Sequence, residues 1–199
     1  MRIGVFGGTF DPIHEGHIAA ARVAMECAHL DRVLFVPSAQ PPHRPAALAS
    51  ADDRLAMSRL AVDGEPRFEV SDLEVGRGGM SYTADTLAEL HRTYPNDELF
   101  LILGWDAARL FSTWHKPEEV ARLASVVIVG RPGMQSPMPS DLDAAGLDPS
   151  RVVMCLLPTP DVSGSGLRRA IAAGQPVAGK LPAAVEGYIA DRHLYWDNR

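Results

Sequence analysis

Short, largely apolar runs alternate with helical patterns along this chain, and this alternation restricts the folds that it can adopt. Six runs predict strands: RIGVFG, RVLFVPS, RFEVSD, ELFLILG, SVVIVGRP and RVVMCLLP. Six stretches between and after them predict helices: HIAAARVAMECAHL, DDRLAMSRLAV, TADTLAELHRTY, PEEVARLA, GLRRAIAAG and AAVEGYIADRH. Nearly continuous apolar strands separated by helices are typical of a parallel sheet that is covered on both faces. The sequence therefore predicts an α/β fold, a Rossmann-like doubly wound parallel sheet with helices on both faces and right-handed crossovers.

The length and composition of the chain limit it to one domain. Its 199 residues, 46% of them hydrophobic, are enough for one sizeable core and too few for two comfortable ones. We therefore expect a single domain over residues 1–199, with C-terminal helices from about residue 163. Two stretches rich in proline and serine, residues 39–50 and 131–150, predict loops.

Charge and cysteine content narrow the class of protein further. The formal net charge of −6 disfavours a general nucleic-acid-binding protein, because such proteins are basic. The sequence contains neither a secretory signal nor 18 consecutive apolar residues, which predicts a cytoplasmic protein without a membrane partner. Cys27 and Cys155 each lie in an apolar stretch without a CxxC partner, and we expect them to be buried, reduced thiols. The oligomeric state stays open, a homo-oligomer included.

In the stretch GVFGGTFDPIHEGH, two adjacent glycines and two histidines lie at the junction of a predicted strand and a predicted helix. We expect the strand to end at Phe6 and the helix to begin near His17. Gly7 and Gly8 allow a ligand to approach the backbone closely, and the free N–H groups of a helix N-terminus attract anions. The imidazoles of His14 and His17 add donors for phosphate oxygens. The stretch therefore predicts a phosphate site.

Two other interpretations of this stretch remain open. Asp11, His14 and His17 could hold a zinc ion, although these histidines are three residues apart and helical metalloproteases space theirs by four. The stretch could also be a purely structural loop. The dinucleotide-binding pattern G-x-G-x-x-G is absent, which argues against a dehydrogenase.

The same stretch resembles a known signature. GGTFDPIHEGH is similar to the G-x-F-D-P-x-H-x-G-H signature of the nucleotidyltransferase superfamily with the H-x-G-H motif. The matching residues are Gly8, Phe10, Asp11, Pro12, His14, Gly16 and His17. The resemblance implies that the two histidines contact the phosphates of a nucleoside triphosphate and stabilise the transition state of nucleotidyl transfer.

A second stretch, VSGSGLR (Val162–Arg168), resembles the I-S-S-T-x-I-R signature that this superfamily carries near its C-terminus. Ser163 and Ser165 precede a predicted helix, where a hydroxyl can cap free N–H groups. Arg168 lies one turn into that helix, from where it could reach phosphate oxygens. On its own the stretch is typical of a helix cap and a solvent-facing arginine, but together with the first motif it favours a phosphate site. Gly164 and Ser165 stand where the signature has Ser and Thr, which predicts a looser loop.

Three further blocks are similar to those of bacterial nicotinate mononucleotide adenylyltransferases. AQPPHR, MSYTADTL and LGWDAARLFSTWHKPEEV resemble P-P-H-K, S-Y-T-x-D-T-L and G-x-D…W-K-x-x-E-L. The resemblance spans about residues 1–170 and continues into a C-terminal helix. Arg44 replaces the usual lysine, which keeps the charge but alters its geometry. Trp105 stands where that family commonly has alanine, so we expect a different pocket floor.

The resemblance implies a reaction and a set of site residues. ATP and nicotinate mononucleotide would give nicotinate adenine dinucleotide and pyrophosphate in NAD biosynthesis, with Mg²⁺ held mainly by the substrate and water. His14, His17 and Arg168 would be catalytic. The residues implied for ATP binding are Gly7, Gly8, Thr9, Phe10, His14, His17, Gly104, Asp106, Val162, Ser163, Ser165 and Arg168. Those implied for mononucleotide binding are Thr9, His43, Arg44, Tyr82, Thr83 and Trp114.

Several of these residues also have a plainer interpretation. Tyr82 and Trp114 could be ordinary core aromatics, but they lie in polar surroundings, and a flat pyridine ring needs an aromatic partner. Thr83 is the expected N-cap of its helix. Asp106 could be only a helix cap, could lie near the ATP ribose, or could do both.

Other functions remain open beside this one. Within the superfamily the chain could be a pantetheine-phosphate adenylyltransferase or a cytidylyltransferase, although the former are shorter and have threonine where His14 stands. A non-catalytic nucleotide-binding sensor of the same architecture would not need both histidines. GQPVAGKL (Gly174–Leu181) has Walker A spacing, but it lacks a hydroxyl residue after Lys180 and follows a helix, so we interpret it as an inter-helix loop.

Overall fold

At the centre of the described residues lies a parallel sheet of six strands. The computed structural model describes residues 1–42, 46–130, 137–157 and 159–196. The strands are β1 (Arg2–Gly8), β2 (Arg32–Pro37), β3 (Phe68–Val70), β4 (Glu98–Gly104), β5 (Ala124–Val129) and β6 (Val152–Cys155). They lie in the order β3-β2-β1-β4-β5-β6, and every neighbouring pair is parallel. The predicted doubly wound α/β fold is confirmed.

Helices cover both faces of this sheet. In the part of the chain that the structure describes they are α1 (Glu15–Cys27), α2 (Ala51–Val62), α3 (Leu73–Arg77), α4 (Thr83–Thr93), α5 (Trp105–Ala108), α6 (Pro117–Leu123), α7 (Pro139–Ala144), α8 (Gly164–Ala172) and α9 (Ala183–Asp191). Buried side chains of α1, α2, α8 and α9 join one hydrophobic cluster, and those of α4 to α7 join a second. None of these helices is long and apolar enough to cross a membrane.

The junction between β1 and α1 differs from its predicted boundaries. β1 continues to Gly8 instead of ending at Phe6, because its last residues keep pairing with β2. α1 begins at Glu15 instead of near His17, and His14 is its N-cap. Both histidines of the first motif therefore lie at the very start of the helix, where the N–H of His17 donates to the carbonyl oxygen of His14 at 2.8 Å.

Part of the loop predicted at residues 131–150 is helical. Residues 131–136 lie outside the described part, but α7 follows. α7 starts with a proline, whose fixed φ suits a first helical turn, and Asp141 Oδ2 accepts the N–H of Met138 at 2.7 Å. Leu142 is buried in the second hydrophobic cluster. A cap and one core contact thus stabilise a helix that composition alone did not indicate.

The stretch Gly174–Leu181 is confirmed as a loop between α8 and α9. Its Lys180 carbonyl oxygen accepts the N–H of Glu15 at 3.0 Å, at the start of α1. The stretch does not follow a strand, as a phosphate-binding Walker loop would, and it braces the first helix.

The two cysteines form a disulfide, so the prediction of two reduced thiols is wrong. Cys27 is the last residue of α1 and Cys155 the last residue of β6, and their Cα atoms lie 5.9 Å apart. α1 packs across β5 and β6, which brings the two cysteines together although 128 residues separate them in sequence. The packing of α1 on the sheet brings the two cysteines together. The sequence around each cysteine does not indicate that they pair.

The order of the strands determines where a ligand can bind. β1 pairs with β2 on one side and with β4 on the other, so the strand order reverses between β1 and β4. In such sheets, ligands bind beyond the carboxyl ends of the strands at this point. β1 ends in Gly7 and Gly8 and β4 ends in Gly104, which leaves room for a crevice there.

Candidate active site

A cleft of about 450 Å³ opens beyond the carboxyl ends of β1 and β4. Its walls are the loop after β1, the start of α1, the end of β4 and the segment that leads into α8. The residues that the sequence assigned to ATP all line it: Gly7, Gly8, Thr9, Phe10, His14, His17, Gly104, Asp106, Val162, Ser163, Ser165 and Arg168. The two motifs, which are distant in sequence, therefore meet in one cavity.

A second cavity of about 370 Å³ adjoins the first. The residues that line both cavities include Gly8, Thr9 and Asp106. Of the residues that the sequence assigned to the mononucleotide, the second cavity contains Thr9, Tyr82, Thr83 and Trp114. The other two, His43 and Arg44, lie outside the described residues.

His17 is held in a fixed orientation at the edge of the first cleft. The N–H of His14 donates to its Nδ1 atom at 3.2 Å. Its ring stacks on that of His14, with centroids 3.7 Å apart, and meets the ring of Phe10 edge-on at 5.0 Å. Because Nδ1 accepts a hydrogen bond, the neutral ring carries its proton on Nε2. His17 can therefore donate that hydrogen to an anion in the cleft.

Close packing requires two of the glycines in the first motif. A Cβ atom on Gly16 would lie 3.0 Å from Nδ1 of His14 and 3.5 Å from the carbonyl oxygen of Pro160. A Cβ atom on Gly8 would lie 2.8 Å from the ring of Phe10. Any larger residue at either position would displace a ring that orients His17.

Arg168 joins the two motifs. Its Nη1 atom donates to the carbonyl oxygen of Asp11 at 2.5 Å and lies 3.6 Å from the Asp11 carboxylate. A guanidinium has five N–H donors, so this contact leaves other donors for a ligand in the cleft. Ser163 caps α8 by accepting the N–H of Gly166 at 3.2 Å, while Ser165 is exposed.

Gly164, a residue of the second motif that departs from the superfamily signature, packs against the first motif. A Cβ atom there would lie 3.2 Å from the carbonyl oxygen of Asp11 and 3.4 Å from Nη1 of Arg168. Gly164 is the first residue of α8, and the missing side chain permits that helix to approach the first motif closely. The structure thus shows close packing at this position, where the sequence predicted a looser loop.

Sequence reasoning missed Arg54, which braces the site. Its side chain is only 1% exposed and donates to the carbonyl oxygens of Thr9 at 2.7 Å, Ser38 at 2.6 Å and Ala39 at 3.1 Å. These contacts fix the loops after β1 and β2 against each other. Burial lowers the pKa of Arg54, and the Asp11 carboxylate opposes this shift. In the sequence Arg54 is only an arginine of a predicted helix, and its burial among the positions of α2 is seen in the structure alone.

Aromatic rings line the second cavity. The ring of Tyr82 lies 4.3 Å from that of His115, at a tilt of 35°. Trp114 is half-buried, packs on Phe111 at 5.6 Å between centroids and also lines the cavity, so it is both a core aromatic and a pocket residue. Trp105 packs on the second hydrophobic cluster and is not among the described residues that line either cavity. The prediction that Trp105 changes the pocket floor is therefore wrong.

Two predicted helix caps are displaced along the chain. Tyr82 is the N-cap of α4, and Thr83 is the first helical residue. Gly104 is the N-cap of α5, so Asp106 lies in the first turn and is not the cap. Thr83 nevertheless lines the second cavity, and the exposed carboxylate of Asp106 lines both.

Glu74 is a buried carboxyl group of the second cavity that sequence reasoning also missed. It is 6% exposed, and it accepts a hydrogen bond from the Thr86 hydroxyl at 2.5 Å. Arg77 donates to the same hydroxyl oxygen at 3.1 Å. Burial raises the pKa of Glu74, while hydrogen bonds from Thr86 and Ser81 and the charge of Arg77 act in the opposite direction. Glu74 lies in α3, which the sequence did not predict, and no pattern marked it.

The geometry of the first motif does not favour the zinc interpretation. The Asp11 carboxylate accepts the N–H groups of Leu48 at 2.9 Å and Ala49 at 3.1 Å, which ties it to the protein backbone. Within the described ranges, no group of three or more His, Cys, Asp or Glu residues is arranged to hold a metal ion.

Comparisons with known proteins indicate the family and the fold of this chain. A cytidylyltransferase-like family model matches residues 5–170. A protein of Thermus thermophilus named "Probable nicotinate-nucleotide adenylyltransferase" is 46% identical over 198 residues, which are 98% of this chain and 100% of that protein. A protein with the same name from Herpetosiphon aurantiacus is 42% identical and covers 98% of both chains. The structure of Plasmodium falciparum nicotinic acid mononucleotide adenylyltransferase complexed with NaAD has the same fold, with a TM-score of 0.78 at 18% identity over 98% of this chain and 97% of that chain.

Proposed function

The chain belongs to the cytidylyltransferase-like family, and we propose that it transfers the adenylyl group of ATP to nicotinate mononucleotide in NAD biosynthesis. The products are nicotinate adenine dinucleotide and pyrophosphate. The observation that carries this proposal is the pair of adjoining cavities, one lined by two phosphate motifs and the other by aromatic rings, which share Gly8, Thr9 and Asp106. The full-length relatives named for this activity support it.

ATP fits the first cleft because the donors there are suited to a triphosphate. His14, His17 and the guanidinium of Arg168 line this cleft, beside the N-terminal end of α1. Each of these groups favours an anion. The α-phosphate lies at His17, the β- and γ-phosphates at Arg168, and the ribose at Asp106, whose carboxylate accepts hydrogen bonds from hydroxyl groups.

Nicotinate mononucleotide fits the second cavity. Its pyridine ring is flat, and the rings of Tyr82 and Trp114 offer it stacking partners. Its phosphate lies where the cavities share Gly8 and Thr9, next to the α-phosphate of ATP. Bound in this way, the acceptor phosphate is adjacent to the atom that it attacks.

The reaction is an in-line displacement. An oxygen of the mononucleotide phosphate forms a bond to the α-phosphorus of ATP, and the bond between that phosphorus and the bridging oxygen to the β-phosphorus breaks, which releases pyrophosphate. The protein positions two anions and stabilises the charge that develops, without a covalent intermediate. Mg²⁺ enters as the complex with ATP and is part of the substrate.

A pyrophosphate-release assay tests this function. With Mg²⁺ and ATP, nicotinate mononucleotide is expected to give turnover, whereas phosphopantetheine, which probes the runner-up adenylyltransferase, is expected to give none. CTP with a phosphorylated alcohol as acceptor tests cytidylyl transfer in the same format. Turnover with phosphopantetheine or with CTP, and none with nicotinate mononucleotide, would overturn the proposal. Binding of ATP without turnover on any acceptor would instead indicate a sensor.

Replacing Arg168 with alanine is expected to raise the KM for ATP about tenfold or more and to change that for the mononucleotide far less. The guanidinium divides its donors between Asp11 and the cleft, and a charge-assisted hydrogen bond contributes about 1.5–3 kcal/mol. Lysine should rescue ATP binding only partly, because one ammonium cannot reproduce this fork. Steady-state kinetics with each substrate varied in turn measures both KM values.

The neighbouring Arg169 is a matched control for this experiment. It is exposed on the same helix and is not among the described residues that line the cleft, so Arg169→Ala should keep both KM values. An unchanged KM for ATP in Arg168→Ala would show that Arg168 does not bind ATP and that the second motif serves only as a helix cap.

A further inference from the structure

The C-terminal segment of the chain reaches the first motif. After α9 the chain turns back, and the hydroxyl of Tyr195 donates to Oδ1 of Asp11 at 2.7 Å, across 184 residues of sequence. Tyr195 is not among the described residues that line either cavity. Its hydrogen bond to Asp11, which does line the first cleft, therefore connects it to a bound nucleotide.

Asp11 is the point where several parts of the site are joined. Its Oδ1 atom accepts hydrogen bonds from Tyr195 and from the N–H of Ala49, and its Oδ2 atom accepts one from the N–H of Leu48. Its carbonyl oxygen holds the Nη1 atom of Arg168. The carboxylate is almost fully buried, at 8% exposed, so water cannot readily replace a lost partner. The Oδ2 atom also lies 3.6 Å from the same Nη1 atom, so a shift of the carboxylate would change its ion pair with Arg168.

The hydroxyl of Tyr195 is a permanent donor. Burial raises the pKa of Tyr195, and its hydrogen bond to Asp11 raises it further, so the phenol stays protonated and keeps donating. The φ of Tyr195 is +66°, in a region that residues other than glycine rarely adopt. The chain thus adopts an uncommon backbone conformation at the residue that makes this contact.

We propose that Tyr195 is a positioning residue of the ATP site, whose hydroxyl fixes the Asp11 carboxylate and, through Asp11, the orientation of Arg168 toward the triphosphate. The inference deepens the proposed function and rests on it, since it takes ATP as the ligand of the first cleft. It assigns to the C-terminal segment a part in nucleotide binding that the two sequence motifs do not contain.

Tyr188 supplies a matched control within the same segment. Its hydroxyl donates to Oδ1 of Asp53 at 2.9 Å, and Arg192 donates to the same oxygen at 3.2 Å. Neither Tyr188 nor Asp53 is among the described residues that line the cavities. Tyr188→Phe therefore removes the same chemical group, donated to the same kind of acceptor, at a position that lines neither cavity.

The experiment compares Tyr195→Phe with Tyr188→Phe in the full chain. Titration calorimetry measures the Kd of Mg²⁺–ATP without an acceptor, pyrophosphate release measures both KM values, and thermal unfolding measures stability. Tyr195→Phe should raise the Kd and the KM for ATP about tenfold and change the KM for nicotinate mononucleotide by less than about twofold. Tyr188→Phe should keep all three constants, while the two variants lose a similar amount of Tm.

Each result decides for or against the inference. Equal ATP constants in the two variants would overturn it, as would an equal loss of affinity for both substrates in Tyr195→Phe, which a merely structural role predicts. If Tyr195→Phe does not fold, Asp11→Asn replaces it, because it keeps the shape of the residue but weakens the acceptor of the Tyr195 hydroxyl. ATP affinity that is unchanged in Asp11→Asn would then refute the inference. Absence of turnover in the unmodified enzyme would refute the proposed function alone, because the calorimetric comparison needs no acceptor.

Discussion

Alanine in place of His17 is expected to lower the kcat of pyrophosphate release about a hundredfold or more. The Nδ1 atom of His17 accepts the N–H of His14, which fixes the ring at the edge of the cleft and places the proton of the neutral imidazole on Nε2. Such a preorganised donor stabilises the negative charge that develops on the α-phosphate oxygens, and its loss removes about 2.7–4 kcal/mol of transition-state stabilisation in comparable cases. The KM for ATP should change much less than kcat, since the charge is greatest in the transition state.

Measuring the Tm of His17→Ala shows whether the loss of kcat comes from the catalytic step or from a destabilised fold. The ring of His17 contacts Phe10 and His14 but is half-exposed, so the alanine variant should lose only a few degrees of Tm. His91, an exposed histidine of α4, provides the control, and His91→Ala should keep both kcat and Tm. A His17→Ala enzyme that retained most of its turnover would exclude His17 from the mechanism.

The fold could be predicted because it depends on local patterns. The runs that became β1, β2, β4 and β5 are apolar on both faces, which only a covered parallel sheet explains. The phosphate motifs could be predicted for a related reason. Their glycines, histidines and arginine follow strand ends or open helices, and such positions converge at the point where the strand order reverses.

What the sequence did not reveal depends on contacts between distant segments. Arg54 meets the loops after β1 and β2 only once α2 has packed, and Tyr195 meets Asp11 only once α9 has docked. Cys27 and Cys155 pair for the same reason. Each of these residues looks ordinary in its own stretch, as a helical arginine, a terminal tyrosine or an apolar-flanked cysteine. Tertiary packing determines which residues they contact, and the hydrophobic periodicity of a single stretch does not reveal that packing.

The local positive features of the first cleft explain how a chain with a net charge of −6 can bind an anionic substrate. Arg168 is kept near the cleft by the Asp11 carbonyl group, and the N-terminal end of α1 adds the positive end of the helix dipole. Arg54 is buried behind the Thr9 carbonyl group. In the proposed binding mode these cations lie near the phosphates, so the acidic remainder of the surface does not prevent binding.

Strong selectivity for nicotinate over nicotinamide mononucleotide is the second large effect that we expect. The pyridine ring carries a carboxylate in nicotinate mononucleotide and an amide in nicotinamide mononucleotide. Stacking on Trp114 cannot distinguish the two acceptors, because both rings are flat and of equal size. Discrimination between the carboxylate and the amide therefore needs hydrogen-bond donors that face this group. No lysine or arginine is found among the described residues that line the second cavity, but the first-turn N–H groups of α4 at Thr83 have no partner within the helix. The imidazole of His115 can add another donor.

These donors favour the carboxylate for two physical reasons. A helix N-terminus stabilises an anion over a neutral amide, and the NH₂ group of the amide would direct a donor at a donor. Each such mismatch costs about 1–3 kcal/mol, so two yield a preference of about a hundredfold or more. Glu74 also lines this cavity, and it accepts a hydrogen bond from the Thr86 hydroxyl, to which Arg77 also donates. Its contact with Thr86 in the second turn of α4 helps to fix the end of the helix that donates.

The kcat/KM values for the two mononucleotides, measured at saturating ATP, test this selectivity. Trp114→Ala should lower both values and leave their ratio unchanged, because the lost stacking is common to both rings. Trp196, an exposed tryptophan outside both cavities, is the control, and Trp196→Ala should preserve both values. Equal kcat/KM values in the unmodified enzyme would show that the acceptor is assigned wrongly. A ratio that fell with Trp114→Ala would mean that the indole, and not the start of α4, distinguishes the carboxylate from the amide.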